Sequence, residues 1–347
     1  MTKKIRVLVV DDSALVRKLL TGLLSRDPDI EVVGTASDPF EARELIKSLH
    51  PDVLTLDVEM PKMDGVTFLR NLMRLHPMPV VMVSSLTERG GDITLEALSI
   101  GAVDYVAKPK LGLADGLEKL GDEIIAKVKT ASQARIRPRA AVPAEPPPVH
   151  EFKMSLRTTD KVIAIGASTG GTEAIAEILQ TFPADAPAVV IAQHIPEGFS
   201  ERFAARLNTI CAMSVKEAKD GDPVIVGCAY VAPGSHHLRV IRSGARYLCK
   251  VTQDEAVNRH RPSVDVLFRS VAEYVGPNSV GVILTGMGAD GAEGLGAIRA
   301  TGSPTIAQDK ESSVVWGMPG EAFKRGHAAE LLPLSAIAAR VLALAAR

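Results

Sequence analysis

Along the first 130 residues the apolar positions follow two rhythms that alternate. Short β-branched runs, Ile5–Val10, Ile30–Thr35, Val53–Asp57, Pro79–Ser84 and Ala102–Val106, have the length of strands buried on both faces. Between them, Ala14–Leu24, Ala42–Leu49 and Thr67–Leu75 repeat apolar residues at helical spacing. This alternation predicts an α/β domain, a five-stranded parallel sheet with helices on both faces. From about Thr130 to Thr159 the rhythm stops, and "ASQARIRPRAAVPAEPPPVHEFK" is rich in proline, which removes backbone donors and holds the chain extended. The predicted layout is a first domain over 1–129, a linker over 130–158 and a second domain over 159–347. In the second domain Val162–Ile165, Ala188–Gln193 and Val280–Thr285 resume the strand pattern, whereas Val215–Lys250 breaks into short, turn-separated strands that read as antiparallel. That domain is expected to be α/β with a mostly parallel sheet and an antiparallel addition, in a topology unlike the first.

Composition narrows the function more than the fold. With 40 basic and 41 acidic side chains the net charge is −1, so there is no electrostatic footprint for a polyanion and no nucleic-acid partner is expected. Three widely spaced cysteines, Cys211, Cys228 and Cys249, fit neither a disulfide framework nor a zinc knuckle and read as reduced, packed thiols. The apolar run Val7–Val10 is cut short by Asp11 and Asp12, too early for a signal peptide. The C-terminal apolar stretch is broken by Pro333 and Arg340, so no membrane insertion is expected and the location is read as cytoplasmic.

In an open parallel sheet the ligand sits at the carboxyl ends of the strands. In the first domain these ends carry Asp11 and Asp12, then Asp57, then Ser84, then Lys108. Three carboxylates drawn together need a hard cation, for which Mg²⁺ is suited, and a neighbouring hydroxyl and ammonium suit a phosphoryl group. A single acid at a strand end is commonly a turn former or a helix cap; five groups in this order are not explained so simply. The pattern resembles the receiver domain of bacterial response regulators over about residues 3–128, which implies a flavodoxin-like fold for the first domain. By that resemblance Asp57 accepts a phosphoryl group, Asp11, Asp12 and Asp57 hold Mg²⁺, and Ser84 and Lys108 contact the phosphoryl group. Tyr105 matches the switch aromatic, and Lys108-Pro109 the customary cis peptide.

The second domain opens with "KVIAIGASTGG". A dinucleotide fold would need G-x-G-x-x-G and an acid at the end of the next strand. Here Ser168 replaces the middle glycine, and the next strand ends in Gln193-His194. Gly166-Ala167-Ser168-Thr169-Gly170 instead satisfies G-x-S-x-G, in which small neighbours let a sharp strand-to-helix turn expose a serine hydroxyl. His194 at the end of a parallel neighbour is the candidate base, and Asp290 in "TGMGADG" the candidate orienting acid. Taken singly, His194 has a hydrogen-bonded structural alternative that is the lesser one, and Asp290 reads equally as a helix cap. The chain order Ser, His, Asp departs from the Ser, Asp, His order of α/β-hydrolases.

The set "IGASTGG", "AQHIP", "VAPGSHHL", "HRPSVDVLF" and "TGMGADG" resembles the catalytic domain of the chemotaxis receptor methylesterase family, CheB. That resemblance implies Ser168 as nucleophile, His194 as base then acid, Asp290 as orienting carboxylate, and Thr169 and Met287 as site support, the Met287 N–H holding the oxyanion. It further implies a monomer that hydrolyses glutamate γ-methyl esters on chemoreceptors, deamidates receptor glutamines, needs no cofactor for ester hydrolysis and takes its phosphoryl group from a histidine kinase. Two rivals are a DNA-binding response regulator and a receptor-binding scaffold without catalysis. His236-His237 reads as a poor metal pair because adjacent side chains on an extended chain point apart. His260 and Asp265 read as residues that shape the groove or, more in keeping with their type, make structural hydrogen bonds, and Trp316 and Met318 as ones that line the cleft or pack.

Overall fold

Five strands, β1 (Ile5–Val10), β2 (Ile30–Ala36), β3 (Val53–Asp57), β4 (Val80–Ser84) and β5 (Asp104–Ala107), pair in parallel in the order β2-β1-β3-β4-β5. They belong to a computed structural model that describes residues 3–84, 88–108, 114–136 and 161–346; Pro109, and with it the expected cis peptide, lies outside the described residues. Every residue of β3 and β4 is buried, which is why these strands read as continuous apolar runs. The helices are α1 (Ala14–Leu24), α2 (Pro39–Leu49), α3 (Gly65–Leu75), α4 (Glu88–Ile100) and α5 (Ala114–Ser132). Ser13, Asp38 and Asp64 cap the first three, each accepting a backbone N–H of the first turn. α5 runs into the stretch read as linker, because Val128 and Ala131 continue its buried stripe.

The chain divides into two compact units, Met1–Val142 and Pro143–Arg347. In the second, β6 (Val162–Ala167), β7 (Ala188–Gln193), β8 (Ser214–Glu217) and β9 (Cys228–Val231) precede an antiparallel ribbon of β10 (His237–Ser243) and β11 (Arg246–Thr252). After it come β12 (Ser279–Ile283), β13 (Thr305–Gln308) and β14 (Glu330–Leu332). Seven strands form one sheet in the order β14-β13-β12-β6-β7-β9-β8, and each of its pairings is parallel. The antiparallel addition is therefore a separate two-stranded sheet. The antiparallel reading of strands within Val215–Lys250 holds for β10 and β11, whereas β8 and β9 pair in parallel. The segment joining them is not a hairpin turn; it spends its backbone groups on β11, with Gly221 donating to Cys249, Cys249 to Asp222 and Val224 to Tyr247.

Helices α6 (Gly171–Leu179), α7 (Phe199–Ile210), α8 (Val264–Tyr274), α9 (Ala292–Ala300), α10 (Met318–Lys324) and α11 (Leu334–Ala345) complete this unit. Leu267, Phe268 and Val271 of α8 join Val162, Ala164 and Ile283 of the sheet in one buried cluster. From β6 the chain moves to β7 on one side and later returns to β12 on the other, so the sheet's switch point lies at β12-β6-β7. A ligand crevice is expected outside the carboxyl ends of those strands.

Candidate functional site

Strand register assembles the second unit's site. Ala167 pairs with Gln193 and Ile283 with Gly166, so β6, β7 and β12 end nearly level and Ser168, His194 and the loop to Asp290 leave from adjacent positions. Ser168 N–H donates to Thr285 O (3.0 Å) and His194 N–H to Ala167 O (3.1 Å), which fixes both backbones where they leave the sheet. The turn closes with Gly171 N–H on Ser168 O (2.7 Å) and with Gly170 in the left-handed region, φ 75°. Gly286 passes against the serine; a Cβ there would lie 2.7 Å from Ser168 Cβ and 2.4 Å from Met318 Sδ. Only glycine permits that approach.

The three side chains meet. His194 Nδ1 lies 3.1 Å from Ser168 Oγ and its Nε2 lies 2.8 Å from Asp290 Oδ2. For His194 to accept the serine proton at Nδ1, Nε2 must carry a hydrogen, and Asp290 selects that tautomer by accepting it. The ring is turned the opposite way from the chymotrypsin-type arrangement, in which Nε2 faces the serine. Both supporting side chains are removed from water, His194 at 8% and Asp290 at 2% exposure. Burial by itself would raise the Asp290 carboxyl. The hydrogen bond and charge of His194, helped by Asn258 and Ser263, outweigh burial and hold it well below the usual carboxylate range. Asp290 Oδ1 accepts from Asn258 Nδ2 (2.7 Å), Ser263 Oγ (2.8 Å) and Asp265 N–H (3.3 Å), and Oδ2 also accepts Val264 N–H (2.7 Å). The carboxylate thus sits at the N-terminus of α8, where the helix dipole favours an anion.

The supporting residues divide. Thr169 is buried and its carbonyl accepts from Thr285 Oγ1 (3.0 Å), while the Met287 side chain is exposed on the rim. Asn258, Ser263 and Gln193 were not singled out by sequence. Gln193 Nε2 donates to both Ser168 O (2.9 Å) and His194 O (3.1 Å), tying the two backbones together. Only the Ser263 position before an apolar helix carried a local signal, that of an N-cap, and it does cap α8. His236 and His237 turn to separate carbonyls, Gly234 and Glu255. Asp265 accepts Gly294 N–H (2.7 Å), Trp316 Nε1 donates to Gln308 O (3.0 Å) and Met318 is fully buried.

In the first unit, Val10 pairs with Leu56, Asp57 with Val83 and Ser84 with Ala107, so Asp11, Asp57, Ser84 and Lys108 lie in one row at the sheet edge. Lys108 Nζ bridges Asp57 Oδ2 (2.8 Å) and Asp11 Oδ2 (3.0 Å). Burial works against the Lys108 ammonium, yet its bonds to the two carboxylates raise it above its ordinary range. Arg17 holds the turn by donating to the carbonyls of Asp11 (2.6 Å) and Asp12 (2.9 Å). Among the described residues, Asp11, Asp12 and Asp57 bring one oxygen each within 4.8 Å of one another, a donor set that fits a hard divalent cation. Burial pushes the Asp57 carboxyl up to about 6; the Lys108 hydrogen bond opposes this and the charge of Asp11 adds to it. Tyr105 is buried, with Lys127 Nζ 4.8 Å from its ring centroid.

Known proteins agree with both halves. Residues 163–341 match the CheB methylesterase family model and residues 7–116 the response regulator receiver domain. The chain is 58% identical to a protein-glutamate methylesterase/protein-glutamine glutaminase of Xanthomonas campestris pv. campestris, over 99% of this chain and 98% of that protein. It is 57% identical to the protein of the same description from Bordetella parapertussis, over 98% and 97%. Among solved structures it is similar to the Thermotoga maritima CheB methylesterase catalytic domain, with a TM-score of 0.53, 35% identity, and coverage of 54% of this chain and 100% of that one.

The raised Asp57 carboxyl has a stability consequence with a definite sign. The folded chain holds that proton more tightly than the unfolded chain does, so ionising Asp57 costs folding free energy. The cost is absent below its ordinary 3.8 and complete above about 6. In a chelating buffer near pH 8, Asp57→Asn is expected to be more stable than wild type by about 2 to 3 kcal/mol. The gap should close as the pH falls from about 6 to about 4. Urea unfolding of both full-length proteins across that range checks this; a pH-independent gap, or a less stable variant near pH 8, would refute it.

Proposed function

The chain belongs to the CheB methylesterase family, and from that premise we propose that Ser168, His194 and Asp290 carry out the hydrolysis of glutamate γ-methyl esters on chemoreceptors. Its activity is that of a protein-glutamate methylesterase and protein-glutamine glutaminase joined to a response-regulator receiver. The observation that carries the assignment of residues is the unbroken hydrogen-bond line from Ser168 Oγ through both nitrogens of His194 to Asp290.

His194 Nδ1 takes the Ser168 proton as Oγ attacks the ester carbonyl, and Asp290 stabilises the imidazolium that forms. The negative oxygen is received by backbone donors, among them the Met287 N–H, in the turn where Gly286 lets the chain approach the serine. Thr169, whose carbonyl is held by Thr285, keeps that turn in place. The imidazolium returns its proton to the departing methoxide, and methanol leaves. Water then gives a proton to Nδ1 and attacks the acyl-enzyme, freeing the glutamate carboxylate and Ser168. The same steps on a glutamine side chain release ammonia.

Control is assigned to the first unit. A histidine kinase supplies the phosphoryl group to Asp57, and Lys108 and Ser84 contact it. Asp11, Asp12 and Asp57 would hold Mg²⁺, which when bound neutralises charge on the phosphoryl oxygens. Tyr105 is the aromatic that changes position with the phosphorylated state. The protein is read as a cytoplasmic monomer with no nucleic-acid partner, in keeping with its near-zero net charge.

Methanol release from methylated receptor membranes tests the chemistry. Ser168→Ala should lose activity by about 10³-fold or more, and Asp290→Asn, which leaves the wrong tautomer at Nδ1, by about 10³- to 10⁴-fold. Activity of Ser168→Ala equal to wild type would sink the assignment. A small-molecule acyl phosphate should raise the wild-type rate and leave Asp57→Ala unchanged; an equal response in the variant would remove Asp57 as the trigger.

A further inference from the structure

The imidazole of His194 has a neighbour that the hydrolysis mechanism does not use. The His260 ring lies flat against it, with centroids 3.7 Å apart and planes inclined by 11°. Two residues earlier, Asn258 Nδ2 donates to both Asp290 Oδ1 (2.7 Å) and Asp265 Oδ2 (2.8 Å). The two contacts come from one tight turn, closed by Val257 N–H on His260 O (3.1 Å) and His260 N–H on Val257 O (2.9 Å). Its central residues, Asn258 at φ 53° and Arg259 at φ 67°, are both left-handed, the signature of a type I′ turn. Asparagine tolerates this conformation, but arginine is strained in it, and such strain persists only where the surroundings hold it. Those surroundings are visible. Arg261 Nη1 donates to the carbonyls of Gln253 (3.0 Å) and Asp254 (2.9 Å), and buried His237 bonds to Glu255 O (2.9 Å) and accepts Ser263 N–H (3.2 Å).

We propose that the Val257–His260 turn positions the catalytic groups, with His260 holding the His194 ring by its face and Asn258 holding Asp290 from beneath. The proposal rests on the triad assigned above. Hydrogen bonds at Nδ1 and Nε2 lie in the ring plane and resist rotation within it, but they resist tipping out of that plane only weakly. A ring stacked at van der Waals distance blocks tipping toward its own side. The need is greatest after the first half-reaction. Once Ser168 Oγ is esterified it has no proton to offer Nδ1, so the imidazole keeps one in-plane tether, to Asp290, at the step where it must take a proton from water. The stack is unaffected by that loss. His260 and Asn258 are positioning residues, acting through His194 and Asp290.

A matched pair of substitutions in the full-length protein separates a flat face from mere bulk. His260→Leu fills the space without a planar ring, and His260→Phe keeps the plane while removing both nitrogens. With methylated receptor membranes and a phosphorylated or acyl-phosphate-treated enzyme, His260→Leu is expected to lower kcat by about ten-fold or more with KM little changed. His260→Phe should stay within about three-fold of wild type. Leu equal to wild type, or Phe as slow as Leu, would overturn the stacking role. Asn258→Ala, at an exposed turn, gives an independent arm and should lower kcat by about ten-fold; an unchanged kcat would overturn the contribution of Asn258. Thermal melts identify any variant that fails to fold, and the other position then decides. If wild type itself releases no methanol, the reading of the site falls; a competent wild type with unaffected variants sinks the positioning role alone.

Discussion

The second unit is organised around one requirement, that a carboxylate almost wholly out of water remain charged. Asp290 meets it with five hydrogen bonds, from His194, Asn258, Ser263 and the backbone N–H groups of Val264 and Asp265. Left unpaired, an ion so buried would be neutralised or would cost several kcal/mol. Each donor therefore constrains a different segment. The loop after β12 must reach the N-terminus of α8, the turn at Asn258 must fold beneath it, and His194 must present Nε2–H. The His194 tautomer, and with it the availability of Nδ1 to a serine proton, follows from how that charge is solvated.

The first unit treats a buried carboxylate in the opposite way. Asp57 has a like charge beside it in Asp11, one shared ammonium in Lys108, and a long contact of 3.3 Å from Glu59 N–H. Its burial is only partly compensated, and its carboxyl rises to about 6 where that of Asp290 falls. Both groups lie on the carboxyl-end side of parallel strands, Asp57 as the last residue of β3 and Asp290 in the loop after β12, so the side of the sheet does not decide their chemistry. The donors do. A saturated carboxylate orients its neighbour and does no more, whereas an undersatisfied one has oxygens to give to a cation and to a phosphoryl group.

What could be read from the sequence follows the same division between local and distant causes. β1, β3, β7 and α1 coincide with the apolar runs because strands buried on both faces leave a continuous signature. Ser168, His194 and Asp290 were legible because each directly follows a strand or its glycine-rich turn, and parallel register does the rest. The direction of β8 was not, because it depends on where the connecting segment spends its hydrogen bonds. Asn258 and Gln193 were not, because an amide serving a residue 32 or 25 positions away leaves no periodic trace. His260 is visible as part of a motif, but its stacking on His194 is not, because that depends on a strained turn that no spacing rule reports.

Magnitudes bear on how the proposed phosphorylation of Asp57 could act as a switch. Lys108 is shared between two carboxylates, and its own N–H is bonded to Ser84 O (2.7 Å), so the ends of β4 and β5 are mechanically joined to the acid pocket. A phosphoryl group offers Lys108 a stronger, charge-assisted partner, of the order of a few kcal/mol in a partly buried site. A contact on the Tyr105 ring is weaker. Lys127 lies over the Tyr105 ring and pairs with Asp104 and Glu123, and a cation–π contact of this kind contributes about 0.5 to 2 kcal/mol. Moving a two-state equilibrium from one per cent to ninety-nine per cent takes about 5.5 kcal/mol. The Lys108 interaction alone is short of that figure, so a switch of that size needs further contacts that differ between the two states. The resting acid pocket contributes only so far as its own interactions differ between those states, because an interaction equal in both shifts nothing.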